Sequence, residues 1–426
     1  MSIVPDHLLR AIDRRRDDLI DLTRQLVRIP TTNPPGDAYR ECSEWIGQRL
    51  GAAGFEVEYV RGTGSPGDSD QYPRINVIAR KRLSRPGPCV HFNGHIDVVE
   101  PGRGWRFDPF AGEVYNGRIY GRGTADMKAG LAAAIIAAET LCELAPELGG
   151  TIEISGTVDE ESGGYGGVAY LAERGYFSPD RVQHVIIPEP LNVDRVCIGH
   201  RGVWWAEIET HGRIAHGSMP FLGDSAIRHM GAVLERLEHD LLPRLAGRET
   251  AMPVVPPAAR HSTLNINSIH GGPNEGHAGL PAPCVVDSCR IVVDRRFLIE
   301  ESLASVKGEV TALLEDLVRQ RAGFSYHLRD LFEVLPTMTD PNSPVVRATR
   351  AAIESILGRE ADIICSPGTY DQKHIDRIGR LHDCIAYGPG ILDLAHQPDE
   401  YVDIDDLVNS AKVMTQATYQ LLCGQA

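Results

Sequence analysis

The chain has 426 residues, with 43 Lys and Arg against 58 Asp and Glu, so its formal net charge is −15 with histidine neutral. This acidic balance, with the basic residues scattered, argues against a nucleic-acid partner, because phosphate backbones need a basic stripe. The longest apolar run, Ala129 to Ala138, is far shorter than the roughly 20 residues that cross a bilayer, so we expect no membrane partner either.

The cysteines and the N-terminal residues favour a cytoplasmic protein. The nine cysteines show no C-x-x-C pair and no regular spacing, which is typical of reduced thiols rather than of disulfides or a thiolate metal site. Pro5, Asp6 and His7 stand where an export signal would have its apolar stretch, so we expect no such signal.

Apolar periodicity predicts alternating helices and strands in the first 200 residues. The predicted helices cover residues 8–28, 41–50 and 128–144, and the predicted strands cover residues 57–60, 75–79, 89–92, 151–158 and 184–188. Strands that alternate with helices indicate an α/β sheet with helices on both faces.

The pattern changes near residue 200. Strands are predicted at residues 202–211, 263–269, 285–293 and 324–334, with helices at 226–237 and 301–318. This order suits a small antiparallel sheet covered on one face by two helices. We therefore predict an inserted α+β domain at residues 202–336 and a discontinuous catalytic domain at residues 1–201 and 337–426, whose last part has helices at 345–357 and 404–421.

Acidic and histidine side chains lie at or just past the ends of predicted strands, often beside glycine. They are His95 and Asp97 in N-G-H-I-D-V-V, Asp126 in G-R-G-T-A-D-M-K, Glu160 and Glu161 in V-D-E-E-S-G-G, Glu189 in I-P-E-P, and His396 in L-A-H-Q-P-D-E-Y. Ligands of open α/β sheets bind outside the carboxyl ends of the strands. Oxygen and imidazole donors without thiolates suit zinc, manganese or cobalt.

The spacing within two of these motifs suggests distinct roles. His95 and Asp97 are two residues apart in an extended segment, so both side chains leave the same face and the carboxylate can orient the imidazole. Glu160 and Glu161 are adjacent and point in different directions. One of them can bind a metal while the other takes a proton from a metal-activated water.

These motifs, in this order and over almost the whole chain, resemble those of the dinuclear zinc metallohydrolases that include aminoacylase, glutamate carboxypeptidase, acetylornithine deacetylase and succinyl-diaminopimelate desuccinylase. The resemblance implies a mixed-sheet catalytic domain, an inserted lid domain that forms a homodimer, and two divalent metal ions per subunit. Zinc is expected, with manganese or cobalt as alternatives. By motif, the metal ligands are His95 and Glu189 for one ion, Glu161 and His396 for the other, and Asp126 as the bridge, with Glu160 as general base.

The resemblance also extends to the inserted domain. His216, in A-H-G-S-M-P, resembles a histidine that reaches the partner subunit's site and stabilises the developing oxyanion. Asn265 resembles a polar group near the same oxygen. Arg296, in V-V-D-R-R, resembles an arginine that binds a substrate carboxylate, with Arg295 as the alternative in the register.

One loop departs from the family pattern. Where the family often has a G-G-T-D loop, this chain has S-P-G-T-Y-D-Q-K-H. Thr369 keeps a hydroxyl that can contact substrate, whereas Tyr370 and Lys373 are expected to reshape the pocket. Trp204 and Trp205 lie on one predicted strand, so one ring should point inward and the other outward. Both tryptophans and Tyr370 are candidate pocket walls.

The sequence therefore predicts a hydrolase that cleaves the amide-type C–N bond of a small carboxylate-bearing molecule, such as an N-acyl amino acid or a small peptide. On the same metal site, a deaminase of an aromatic acid such as a substituted anthranilate, or a carbamoyl hydrolase, stays open. A nucleotide-binding protein is disfavoured because Asp126 stands where the glycine fingerprint Gly121-Arg122-Gly123 would need glycine. An inactive regulator is disfavoured because no expected ligand is missing.

Overall fold

The computed structural model describes residues 5–272 and 283–424. Its helices are α1 (Asp6–Arg14), α2 (Arg16–Arg28), α3 (Tyr39–Ala52), α4 (Lys128–Leu144), α5 (Tyr170–Glu173), α6 (Ala226–Arg236), α7 (Leu242–Ala246), α8 (Leu303–Gln320), α9 (Pro344–Leu357), α10 (Gln372–Arg377) and α11 (Ile404–Leu422). Its strands are β1 (Glu56–Arg61), β2 (Ile75–Arg82), β3 (Arg85–His95), β4 (Glu113–Tyr115), β5 (Arg118–Tyr120), β6 (Gly149–Thr157), β7 (His184–Ile187), β8 (Arg195–His200), β9 (Gly202–His211), β10 (Ala215–His216), β11 (Thr263–Gly271), β12 (Cys284–Val285), β13 (Ser288–Phe297), β14 (Ser325–Val334), β15 (Thr337–Met338), β16 (Asp362–Ser366), β17 (Cys384–Ala386) and β18 (Tyr401–Asp403).

The chain divides into two units. The first comprises Met1–Gly199, Met338–Ile364 and Tyr370–Ala426, and the second comprises His200–Thr337 and Cys365–Thr369. The second unit begins and ends within two residues of the inserted domain predicted at residues 202–336. The segment Cys365–Thr369, which the sequence prediction placed in the catalytic domain, groups with the second unit.

The first unit contains a large mixed sheet with the strand order β1-β2-β6-β3-β7-β17-β8-β15, and β16 pairs with β8. Strand β3 runs parallel to β6 and β7, whereas β2 is antiparallel to β6. The central strands are buried without alternation, since eight consecutive residues of β6 are inaccessible. Continuous burial means that both faces are covered, and the predicted α/β class with helices on both faces is confirmed.

The parallel strands bring three of the predicted motifs to one edge of this sheet. His95, the last residue of β3, is in register with Thr157, the last residue of β6. Strand β7 runs parallel to both in direction and ends at Ile187. Because the carboxyl ends of parallel strands meet at the same edge, the residues that follow these strands converge there.

Helix α4 holds the segment after Asp126 tightly in the core. All residues from Lys128 to Leu141 are buried, as expected for a helix that is apolar on every side. Its small side chains allow close packing: a Cβ atom on Gly130 would lie 2.0 Å from the carbonyl oxygen of Pro188. A glycine is therefore required where α4 passes the residue before Glu189.

The second unit is a four-stranded antiparallel sheet with the order β11-β13-β9-β14. Burial alternates along β9 and β13, so one face of the sheet is covered. The core on that face combines Trp204 and Ile208 of β9 with Val233 of α6 and Leu314 of α8. Each such large apolar side chain contributes about 1.5–3 kcal/mol on burial. The predicted α+β order of strands and helices is confirmed.

Two further findings concern the whole described chain. Its nine cysteines are all free thiols. Within residues 5–272 and 283–424, no helix combines the length and the apolar character needed to cross a membrane.

Candidate metal centre

The five predicted metal ligands meet at the carboxyl edge of the large sheet. His95 ends β3, and Glu161 lies in a short 3-10 helical turn, Glu160–Ser162, that follows β6. Glu189 follows β7 by two residues, Asp126 precedes α4 by two residues, and His396 lies in the loop before β18. Residues distant in sequence are therefore brought together by the order of the parallel strands.

The first group of donors consists of His95, Asp126 and Glu189, whose ligand atoms all lie within 4.8 Å of one another. The Nε2 atom of His95 is 3.0 Å from Oδ1 of Asp126 and 3.9 Å from Oε1 of Glu189. His95 is almost completely buried, and Glu189 is buried as well.

The second group consists of Asp126, Glu161 and His396. The Nε2 atom of His396 is 3.1 Å from Oε1 of Glu161 and 3.6 Å from Oδ2 of Asp126. Asp126 therefore belongs to both groups, with Oδ1 directed to His95 and Oδ2 to His396. The His396 side chain is 47% exposed, so this side of the centre is open to solvent.

The donor set fits two divalent cations. Two ligands bound at 2.0–2.1 Å in a tetrahedral arrangement lie about 3.3 Å apart, which is close to the His95–Asp126 and His396–Glu161 separations of 3.0 and 3.1 Å. Three carboxylates and two imidazoles, with no thiolate, match the preferences of zinc, manganese and cobalt. These side chains could hold a pair of such ions with Asp126 between them.

The pKa values of the groups in this cluster indicate an excess of negative charge. Burial, followed by the neighbouring charge of Asp126, raises the pKa of Glu161 to about 7. Burial and the same charge raise the pKa of Glu189 well above its ordinary value. Hydrogen bonds to Asp126 and Glu161 raise the pKa of His396 to about 10. Bound cations would take the place of these protons.

Asp97 contacts the site in two ways, through its backbone oxygen and through its carboxylate. The Nδ1 atom of His95 is 2.9 Å from the backbone oxygen of Asp97 and 3.6 Å from its carboxylate, so the backbone is the closer partner. The carboxylate instead accepts hydrogen bonds of 3.1 Å from the backbone N–H groups of both Glu160 and Glu161, and one of 2.8 Å from Asn33. Asp97 thus fixes the turn that carries the two glutamates.

Glu400 is a structural partner of Asp126 that the sequence prediction missed. Its buried carboxylate accepts hydrogen bonds from the backbone N–H groups of Gly123, Ala125 and Asp126, at 3.0, 2.7 and 3.1 Å. It also forms an ion pair with the buried guanidinium of Arg122. The only sequence signal was its place in the A-H-Q-P-D-E-Y motif, four residues after His396.

Glu160, the predicted base, lies beside the predicted ligand Glu161 and makes an ion pair that the sequence did not specify. Its Oε1 atom accepts a hydrogen bond of 2.6 Å from Nζ of Lys373. Both side chains are largely buried, at 11% and 3% exposure. Lys373, which the sequence predicted to reshape the pocket, is a buried cation in contact with the predicted base.

The remaining predicted site residues belong to the second unit. His216, on β10, is exposed, and its Nδ1 atom is 2.8 Å from the hydroxyl of Ser218. Asn265, on β11, is exposed and donates to Asn267. Arg296 is half-buried and paired with Asp294 at 2.7 Å, and Thr369 is half-buried.

The neighbouring Arg295 has a different environment. Its side chain is fully buried and is paired with Glu301 at 2.7 Å. An arginine fixed in this way stabilises the second unit and is not free to bind a ligand.

The three aromatic residues considered as pocket walls have different surroundings in the structure. Trp204 is fully buried in the core of the second unit, where its indole N–H donates to Asp330. Tyr370 is also buried, and its hydroxyl is hydrogen-bonded to Gln372. Trp205 points to the opposite side of β9 and is half-buried, packed 5.4 Å from the ring of Phe332. The predicted alternation of the two tryptophans is correct, and Trp204 is a core residue instead of a pocket wall.

An α/β sheet whose edge carries two adjoining groups of oxygen and imidazole donors, with a carboxylate beside them, is typical of a metal-dependent hydrolase. The chain matches the model of Peptidase family M20/M25/M40 over residues 91–420. Succinyl-diaminopimelate desuccinylase of Acinetobacter baylyi is 30% identical over 415 residues, which are 96% of this chain and 99% of that protein.

Solved structures share the fold. Human carnosine dipeptidase 1 aligns with a TM-score of 0.78 at 18% identity, with 100% of both chains covered. A dinuclear metal-binding peptidase of family M20 from Bacillus subtilis aligns with a TM-score of 0.69 at 17% identity, covering 96% of this chain and 99% of that one. The chain belongs to peptidase family M20/M25/M40. It is a metal-dependent hydrolase of C–N bonds, as the sequence predicted.

Proposed function

We propose that this protein hydrolyses the amide bond of an N-acyl amino acid or a small peptide, with two zinc ions held by the five residues of the metal centre. In this assignment His95 and Glu189 bind one ion, Glu161 and His396 bind the other, and Asp126 bridges them. The observation that carries the proposal is the position of Asp126, whose two carboxylate oxygens are directed to His95 and to His396.

Metal ions in such a centre lower the pKa of a bound water to about 7 and polarise the scissile carbonyl. The protein supplies the proton transfer. Glu160 takes a proton from the attacking water and passes it to the leaving nitrogen, and Asp97 holds the backbone of Glu160 in place through the 3.1 Å hydrogen bond. The Glu160 side chain is 11% exposed, so the base is accessible to a water molecule in the site.

The substrate class follows from the relatives and from one charged group. The Acinetobacter baylyi relative removes a succinyl group from diaminopimelate, and the human structural neighbour is a dipeptidase, as their names state. Substrates of both kinds have a carboxylate near the amide bond. We assign recognition of that carboxylate to Arg296 and not to Arg295, because Arg295 is fully buried and paired with Glu301.

The roles of three second-unit residues complete the proposal. His216 stabilises the developing oxyanion from the partner subunit, Asn265 lies near the same oxygen, and Thr369 contacts the substrate. A homodimer formed through the second unit is part of this assignment. Exposed apolar side chains near His216 support such an interface, since Phe221 is 78% exposed and Ile214 is 61% exposed.

The test of the activity is a substrate screen with protein reconstituted in turn with zinc, manganese and cobalt. N-succinyl and N-acetyl amino acids, dipeptides, N-carbamoyl amino acids and substituted anthranilates are compared under identical conditions. We expect turnover of an N-acyl amino acid or a dipeptide that is lost with a chelator. Glu160→Gln should keep the full metal content and lose about 100-fold or more of kcat. Wild-type turnover by the Glu160→Gln protein would refute the assignment of Glu160 as the general base.

Deamination of an aromatic acid has less support than the sequence suggested. Two of the three rings proposed to line an aromatic pocket, Trp204 and Tyr370, are buried within the protein. Turnover restricted to the anthranilates in the screen would restore that function, and turnover restricted to the N-carbamoyl compounds would favour a carbamoyl hydrolase.

The sharing of active sites between subunits has its own test. His216→Ala and Glu160→Gln proteins, each nearly inactive, are mixed after mild dissociation. If each site takes its histidine from the partner, random mixing restores about a quarter of the wild-type activity, because half of the dimers then have one complete site. The absence of any recovery in verified heterodimers would contradict the shared site.

We also place the protein in the cytoplasm, with its nine free thiols as the support.

A further inference from the structure

The side chain of Lys373 is a buried cation at the centre of the acidic site. It lies in α10, within the stretch that departs from the family pattern, and its side chain is 3% exposed. The Nζ atom is 2.6 Å from Oε1 of Glu160. A lysine is rarely buried without a partner, because removing its charge from water costs several kcal/mol. The contact with Glu160 is therefore a defined part of this structure.

We propose that Lys373 is a positioning residue for Glu160: it fixes one carboxylate oxygen of the base and leaves the other to accept the proton. This inference rests on the proposed function, in which Glu160 is the base. A charge-assisted hydrogen bond of this length restricts the carboxylate to one orientation. Without it, the Glu160 side chain would be held only through its backbone, by Asp97.

The surroundings of Lys373 keep its ammonium group charged and in place. Asp371, two residues earlier, is buried and accepts a hydrogen bond of 3.0 Å from Asn93 on β3. Burial alone would lower the pKa of Lys373, but the negative charges of Glu160, Asp371 and Glu189 outweigh it and raise that pKa above its ordinary value. The ion pair with Glu160 and the neighbouring carboxylate of Asp371 thus hold the ammonium group of Lys373 in place.

Glu160 makes two proton transfers in the proposed reaction, and Lys373 contacts the same oxygen of its carboxylate in both. In the first, an O–H bond of water breaks, the proton moves to the free oxygen of Glu160, and the water oxygen bonds to the acyl carbon while the π pair of the C=O bond moves onto the carbonyl oxygen. In the second, that pair re-forms the C=O bond, the C–N bond breaks, and the same proton forms an N–H bond on the leaving nitrogen. In both transfers the same free oxygen of Glu160 carries the proton, because Lys373 occupies the other oxygen.

The test compares Lys373→Met, which keeps the length of the side chain and removes its charge, with Lys373→Arg, which keeps the charge. Lys412→Met is the matched control, because Lys412 makes an ion pair of the same 2.6 Å length with Asp13, on helices α11 and α1. We expect Lys373→Met to lower kcat about 10- to 100-fold, the loss that removal of a hydrogen bond to a charged group causes. Its KM should stay within about threefold, its zinc content should equal that of the wild type, and Lys373→Arg should recover part of kcat.

A double-mutant cycle distinguishes positioning of the base from a general structural role. In the Glu160→Gln background, Lys373→Met should change the residual kcat by less than about threefold, because the group that it positions is already absent. An equal loss in both backgrounds, a loss of zinc, or a raised KM with unchanged kcat would overturn the inference. An active wild type with an unaffected Lys373→Met variant would overturn this inference alone. A zinc-loaded wild type without any hydrolysis would overturn the proposed function and this inference with it.

Discussion

Replacing Glu400 by glutamine tests how the fold supports the metal centre. The Glu400 carboxylate accepts hydrogen bonds from three backbone N–H groups, among them that of Asp126, and forms an ion pair with Arg122. Glutamine has nearly the same shape, so the substitution removes the negative charge and directs an amide N–H₂ group to one of these donors. Burial raises the pKa of Glu400, and the positive charge of Arg122 is the largest effect that opposes this rise. The charged form of Glu400 therefore depends on its pairing with Arg122.

The magnitude follows from the burial of both partners. The side chains of Arg122 and Glu400 are 1% and 0% exposed, so the substitution leaves an uncompensated charge inside the protein. Breaking such a pair costs about 3–5 kcal/mol of the free energy of unfolding. A partner that orients a metal ligand also affects binding, and its loss weakens metal affinity by about 10- to 100-fold.

Two measurements check these values. Urea denaturation of the metal-free proteins, followed by circular dichroism, gives the change in stability, and zinc competition with a chelator gives the affinity. The matched control is Asp399→Asn, the adjacent carboxylate, whose partner Arg106 is 79% exposed. The control should lose less than about 1 kcal/mol and keep its zinc affinity. A Glu400→Gln protein with wild-type stability and wild-type zinc affinity would refute this account of how Asp126 is held.

Three further outcomes are expected. The pKa of Glu153 is lowered to about 2, so its carboxylate stabilises the fold above pH 4.5 and loses that effect as the pH falls through 2. Glu153→Gln should therefore lower the free energy of unfolding by about 3 kcal/mol at pH 7. In urea titrations at acidic pH, the difference in stability between this variant and the wild type should narrow. Gly130→Ala should cost about 1–3 kcal/mol and weaken zinc binding, because its Cβ atom would meet the oxygen of Pro188 at 2.0 Å. Gly231→Ala is the control, since a Cβ atom on that helical glycine would have no other atom within 4 Å. An unchanged melting temperature of Gly130→Ala would contradict the close packing of Gly130 against Pro188. Zinc at 100 times its dissociation constant should stabilise the metal-free protein by about 2.7 kcal/mol, and an unchanged denaturation midpoint would argue against binding to the folded state.

The sequence predicted the edge at which the site forms because strand ends are local features. His95, Glu161 and Glu189 follow apolar strands whose pairing as parallel neighbours places them together. Burial that alternates along one strand also separated Trp204 from Trp205 correctly. In each case a short stretch of sequence contains the information.

The supporting contacts could not be predicted because they join distant segments through side chains. The Glu400 carboxylate accepts hydrogen bonds from backbone N–H groups that lie almost 280 residues earlier in the chain. The ion pair of Lys373 with Glu160 spans 213 residues. Arg295 and Arg296 are adjacent on β13, and only the packing of the second unit shows that the first is fully buried and the second half-buried. The spacing of His95 and Asp97 predicted a carboxylate partner, but the short hydrogen bond is to the backbone oxygen.

In the proposed function, Asp126 bridges two divalent cations. Anomalous diffraction at the zinc edge from crystals of the zinc-loaded protein tests this bridge directly. We expect two peaks about 3.5–4 Å apart, one between His95 and Glu189 and the other between Glu161 and His396, each with an oxygen of Asp126 within about 2.2 Å. A single peak, or a pair of peaks that does not share Asp126, would contradict the account.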